Sequence, residues 1–188
     1  MEQTKSKISA FNLCVVALAI CINVIGGHIA LLLHLPIYLD TIGTIMTGAL
    51  LGPIYGMLPN VLSGLIMGFT GDVYSLYYAP VGIILGFVTG LVFKRRKNSV
   101  LWILWAALII TIPSTIVSAS ITAILFGGIT SSGSTVLVQL ITNTTPLGLT
   151  ASCFIVQFIT DYIDRLIGVL IVVQMIRILP SNIKERFF

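Results

Sequence analysis

Charge is what this sequence has least of. Only 9% of its 188 residues are Asp, Glu, Lys or Arg, where a soluble domain carries about a quarter. So few charges cannot cover a water-facing surface. With 57% hydrophobic residues and a mean hydropathy of +1.09, the chain reads as one whose main solvent is lipid. Cysteine is sparser still. Cys14, Cys21 and Cys153 lie far apart, without CxxC spacing or a histidine pairing, which argues against a zinc site and against a disulfide framework. They read as small packing residues.

Reaction motifs are missing too. No GxxxxGK[ST], HExxH or GxSxG occurs, so neither P-loop nucleotide binding, nor zinc proteolysis, nor hydrolase chemistry is indicated. No enzymatic activity, cofactor or metal is expected, and a net charge of +4 gives no reason to expect a nucleic-acid partner. His28 and His34 fall at and just past the end of the first helix, where contact with water or lipid headgroups is the plainer reading than catalysis.

What is present is a series of apolar runs cut by Gly, Pro and charge. Lys5 and Lys7 precede an uncharged run from residue 8 to 39, about twice the length of a signal-peptide core, so the segment is expected to stay as a first helix. Helices are expected over about 8–33, 37–51, 55–69, 79–93, 100–126 and 147–178. Pro53 ends the second, "TGD" (70–72) the third, and "GGITSSGS" (127–134) the fifth. The run 135–143 is too short to cross a bilayer and reads as a half-helix. The expected fold is therefore an all-α integral membrane protein, a single domain over 1–188. It forms a compact bundle of six transmembrane helices with both termini cytoplasmic.

The distribution of cations supports that topology. With the first residues inside, Lys5, Lys7, Lys94, Arg95, Arg96, Lys97, Arg177, Lys184 and Arg186 all fall at cytoplasmic ends, while Asp40 and Asp72 fall on the opposite side. Arg165 alone breaks the pattern. Glycines spaced by four (Gly48, Gly52 and Gly56; Gly64 and Gly68; Gly82, Gly86 and Gly90) predict close helix approach among the second to fourth spans. No internal repeat is evident.

Arg165 sits in "QFITDYIDRLIGVL" (157–170). Counted up from Arg177, it lies roughly 18 Å into the membrane, with Asp161 about one turn further out. Asp161 and Arg165 share a helix face and can pair. Gln157, Asp161, Asp164 and Arg165 thus form a polar stripe facing away from lipid. Two readings stand: an internal ion pair that fixes the helix, or a solute site open to the outside. Gln139 and Asn143 on the half-helix, and Asp72, Tyr74 and Tyr78 at the outer mouth, are candidate members of such a site. Asn60 reads as a helix–helix hydrogen bond. On the first helix, Ala10, Cys14, Ala17 and Cys21 place small residues at four-residue spacing, either for packing within the chain or for docking a membrane partner.

Six short Gly-rich helices without an ATPase motif, together with "LDTIGTIMTGALLGPIYGML" (39–58) and "GFTGDVYSLYYAP" (68–80), resemble the substrate-binding S-components of energy-coupling factor vitamin transporters. The likeness covers essentially the whole chain. It implies an outward-facing pocket for a small water-soluble vitamin in a prokaryotic cell membrane, and delivery together with a transmembrane coupling subunit and two cytoplasmic ATPases. The family's AxxxA motif is met only as Ala10–Cys14 and Ala17–Cys21. Within the family the overall look is that of the pantothenate branch, whose carboxylate Arg165 would meet. A pyridoxine, hydroxymethylpyrimidine or other vitamin carrier is the alternative if Asp161 already holds Arg165. A reading of another class is an ion-coupled secondary carrier that uses Asp161 and Asp164 as a relay.

Overall fold

The computed structural model describes residues 10–97 and 99–184. Lys5, Lys7, Arg186 and the expected helix start at residue 8 lie outside them. The described chain is all-helical, with ten helices and no strand among those residues. They are α1 (Ala10–Leu32), α2 (Ile42–Leu51), α3 (Pro53–Gly56), α4 (Leu58–Thr70), α5 (Tyr74–Tyr77), α6 (Ala79–Phe93), α7 (Val100–Leu125), α8 (Ser134–Thr144), α9 (Leu149–Ile178) and α10 (Ser181–Lys184).

Two helices, α1 and α7, are long and apolar enough to cross a membrane. At 30 residues α9 is about 45 Å long, but it carries Asp161, Asp164 and Arg165, all buried. The other expected spans are short. α2 has 10 residues, α4 13 and α6 15, against the ~20 that cross the hydrocarbon upright. α2 begins five residues later than the expected 37, because His34 and Leu39 adopt positive φ angles of 49° and 54° and the chain between them cannot be helical.

α2 is the centre of the molecule. Its residues from Gly43 to Leu50 are all buried, so it is enclosed on every side by α1, α4, α6 and α9. The four-residue glycine spacing explains how neighbours come so close. A Cβ on Gly86 of α6 would stand 2.0 Å from the Gly56 carbonyl oxygen, and one on Gly90 would stand 2.3 Å from the Pro53 nitrogen. Gly52 has a different task. No atom lies near its Cβ position, and its φ of 88° turns the chain between α2 and α3. On the α1 side, the buried Asn23 clamps α2 with both ends of its amide. Its Nδ2 donates to Thr44 Oγ1, and its Oδ1 accepts from the Gly43 N–H, each at 2.8 Å.

Polarity runs opposite to that of a water-soluble bundle. Leu13, Leu18 and Ile25 of α1 and Trp105, Ile109, Ile112 and Ile116 of α7 are exposed, while Thr44, Thr47, Thr111, Ser114 and Thr115 are buried. α7 and α9 run antiparallel, pairing Thr115 with Asp161 and Ser118 with Gln157. One end of the bundle holds the turn between α6 and α7 and the end of α9, where Arg96 is close enough to Arg177 for the two charges to repel. At the other end three connections meet. The Gly133 N–H donates to the Leu35 carbonyl at 3.1 Å, and Phe126 packs edge-on against Tyr74 and Tyr77.

Candidate functional site: an acidic cavity beneath three connections

Under those connections lies a cavity of about 60 Å³. Its walls come from most of the chain. The segment before α2 contributes Tyr38, Asp40 and Thr41, and α4 contributes Asn60 and Gly64. Asp72, Tyr74, Ser75 and Tyr78 come from the segment around α5, and Ser118 from α7. Gln157, Thr160, Asp161 and Arg165 come from α9.

The stripe on α9 is bound tightly. Arg165, 4% exposed, lies with NH1 3.3 Å from Asp161 Oδ1 and 2.9 Å from Asp164 Oδ2. The guanidinium is therefore shared by both carboxylates, not held by Asp161 alone. Each carboxylate has further donors. Asp164 accepts from the Leu39 N–H at 2.9 Å and the Thr41 hydroxyl at 2.7 Å. Asp161 accepts from Thr115 at 2.7 Å and Ser118 at 3.2 Å. Gln157 donates to Thr122 Oγ1 and accepts from Ser118. Asp164 thus ties the segment before α2 to α9, and the left-handed Leu39 presents its N–H to that carboxylate.

Two other carboxylates at the cavity form no ion pair among the described residues. Asp72, 7% exposed, takes the Ser75 hydroxyl on Oδ2 at 2.5 Å, but its buried Oδ1 has no donor. An unmet buried acceptor of this kind costs about 1–3 kcal/mol, and more when charged. Asp40 is half-buried at the wall. Its pKa is pushed up to about 7, by burial first and then by Asp164, with Arg165 opposing. Burial also raises the Tyr38 phenol, and it pushes Tyr78 up to about 12, so both stay neutral hydrogen-bonding groups. Tyr78 meets the Thr122 hydroxyl at 2.6 Å.

Of the residues singled out from sequence, Asp72, Tyr74, Tyr78, Gln157, Asp161 and Arg165 come together at this cavity. Gln139 and Asn143 do not line it. They lie on α8, where Val138 turns inward and Asn143 is exposed. The α8 face that packs on α9 is the apolar one, with Val138 against Cys153 and Val156. Asn60 does make an inter-element hydrogen bond, to the Asp40 carbonyl at 3.3 Å, and lines the cavity as well. Ala10, Cys14, Ala17 and Cys21 all lie exposed on α1, so they are not packing residues within this chain. Cys153 is fully buried.

Tyr38, Asp40 and the α7 hydroxyls escaped the sequence reading. For the hydroxyls a signal was available: Thr111, Thr115, Ser118 and Thr122 recur every three or four residues, a polar stripe on one face of an otherwise apolar helix. No protein-family model matches the chain, and the comparisons with curated proteins and with solved structures return no match.

A second cleft adjoins the first. It is lined by His28, Leu31, His34, Met67, Thr70 and Gly71, and it shares Asp72 and Ser131 with the cavity. Asp72 Oδ1 and Ser131 Oγ, on the two shared residues, are both buried without a partner.

Proposed function

We propose that this protein is the solute-binding membrane subunit of an ATP-driven vitamin importer. One observation carries the reading: a cavity lined by polar side chains from segments far apart in a chain whose outward helix faces are apolar. The proposed topology has six passes, formed by α1, α2, α3 with α4, α6, α7 and α9. Both termini lie with the basic end in the cytoplasm and the cavity near the outer face of a prokaryotic cell membrane. The short passes rely on the longer helices around them, and α8 lies among the connections without crossing.

The cavity is much smaller than the several hundred Å³ typical of ligand sites, so a vitamin enters by moving part of the wall. The segment 71–78, which lacks a long helix, is the part proposed to yield, whereas Leu39 and Thr41 are tied to Asp164. In this reading the energy comes from a transmembrane coupling subunit and two cytoplasmic ATPases. The exposed row Ala10, Cys14, Ala17 and Cys21 on α1 is the face proposed for the coupling subunit.

Pantothenate as ligand asks for a guanidinium free to meet a carboxylate. Arg165 is already engaged by two, so pyridoxine, hydroxymethylpyrimidine or another vitamin without a carboxylate suits the site better. The ion-coupled alternative draws less support, because Asp161 and Asp164 are both held by Arg165 and by hydroxyl donors.

Calorimetric titration of the purified chain against the B-vitamins tests the reading. One-to-one binding is expected, with uptake into vesicles only when ATPase partners are present. Silence across the panel, or gradient-driven uptake by the chain alone, overturns it.

A further inference from the structure

The balance of charge at the cavity selects the kind of ligand. Among the described residues Arg165 is the only Lys or Arg at its wall, while Asp40, Asp72 and Asp161 line it and Asp164 stands against Arg165. The guanidinium contacts Asp161 and Asp164, so among the described residues neither Asp40 nor Asp72 has an ion-pair partner. Asp72 is more than nine-tenths buried, and its Oδ1 has no hydrogen-bond donor among the described residues. Nearly all buried carboxylate oxygens of native proteins are met by a donor, from the protein, from water or from a bound ligand. Tyr38, Tyr74 and Tyr78 share the same wall, and aromatic faces attract cations through their quadrupole.

Resting on the solute-binding function proposed above, we infer that the cavity takes a ligand bearing a cationic nitrogen, an ammonium or a protonated or quaternary ring nitrogen. Asp72 and Asp40 hold that nitrogen among the tyrosines, and carboxylate ligands are turned away. The unpartnered Arg165 Nε fits a neutral acceptor on the same ligand, such as a hydroxyl or carbonyl. An anion at that place would also sit beside Asp161 and Asp164, where like-charge repulsion opposes it.

The test uses the full chain purified in detergent and an equimolar mixture of probes. Thiamine, pyridoxamine and aminomethylpyrimidine carry cationic nitrogen; pyridoxine, riboflavin and hydroxymethylpyrimidine are uncharged or nearly so; pantothenate, biotin and nicotinate are anions. After repurification the retained compound is identified by mass spectrometry, and its affinity is measured again on Asp72→Asn and, separately, on Asp40→Asn. The expected result is retention of a cation, with affinity falling at least tenfold in Asp72→Asn and in Asp40→Asn. Should one variant fail to fold, the other carries the comparison. Retention of a neutral compound or an anion overturns the charge inference and leaves the binding function standing. Retention of a cation with affinity unchanged in either folded variant also overturns it. Retention of nothing from the mixture at millimolar concentration overturns both.

Discussion

At the scale of single residues, the molecule is decided by where its few charges find partners. Arg165→Ala leaves Asp161 and Asp164 buried without their cation. A loss of about 3–5 kcal/mol is expected, as for other broken buried ion pairs, read as a large drop in melting temperature. Replacing Asp161 and Arg165 together by Leu and Met should recover only part of it, because Asp164 still loses its Arg165 contact. Asp40 makes a prediction of opposite kind. Its carboxyl is raised in the folded state to about 7 from an ordinary 3.8, so between those values the folded protein holds a proton that the unfolded chain has released. Stability therefore falls as pH rises from about 4 to 7 on account of this group. The groups acting on Asp40 are Asp164, Asp161 and Arg165. Melting temperatures measured from pH 5 to 8 should decline less in Asp40→Asn than in the parent, and equal slopes would remove Asp40 as the titrating group.

Between elements, close approach and ring contacts set what is rigid and what can yield. The α2–α3–α6 contact has no room for a side chain at Gly86, where a Cβ meets the Gly56 carbonyl. Gly86→Ala is expected to cost about 2 kcal/mol or more, as overpacking does. Gly148→Ala, with no atom within 4 Å of the new Cβ, should stay within about 1 kcal/mol of the parent. Chemical denaturation of the two variants side by side checks the contrast. The segment around α5 is held differently, by Phe126 against Tyr74, Tyr77 and Tyr78. In Phe126→Ala the amides of residues 74–78 should exchange hydrogen faster while those of α2 do not change. Unchanged exchange at 74–78 would mean that other contacts hold the segment.

For the whole molecule, the proposed six-pass arrangement makes a prediction of its own. The exposed apolar faces of α1 and α7, the basic cluster at one end and the cavity at the other support one orientation. Single cysteines at Lys97 and at Tyr77, in a chain whose native cysteines are replaced, give a direct reading in intact cells. A membrane-impermeant maleimide added outside should label the Tyr77→Cys protein and spare Lys97→Cys until the cells are broken. Labelling of both from one side would end the six-pass arrangement.

Much of this was legible from residues alone, for reasons that are local. Helicity, the breaks at Pro53 and "TGD", the glycine ladder and the polar face of α9 follow from short-range periodicity and backbone limits. So does the Asp161–Arg165 pair, since residues four apart on a helix face each other. Gln139 and Asn143 were placed in the site from depth alone. Depth does not say which face of α8 turns inward, and the apolar face won because it packs against Cys153 and Val156. The role of Asp40 and the sharing of Arg165 with Asp164 depend on a segment more than a hundred residues away folding back onto α9, through the Leu39 N–H and the Thr41 hydroxyl. The sequence by itself determined that the charges of 157–170 face inward, because burial in an apolar chain leaves them nowhere else to go. Only the tertiary structure decided which charges are left over, because that depends on which donors distant segments bring to each carboxylate.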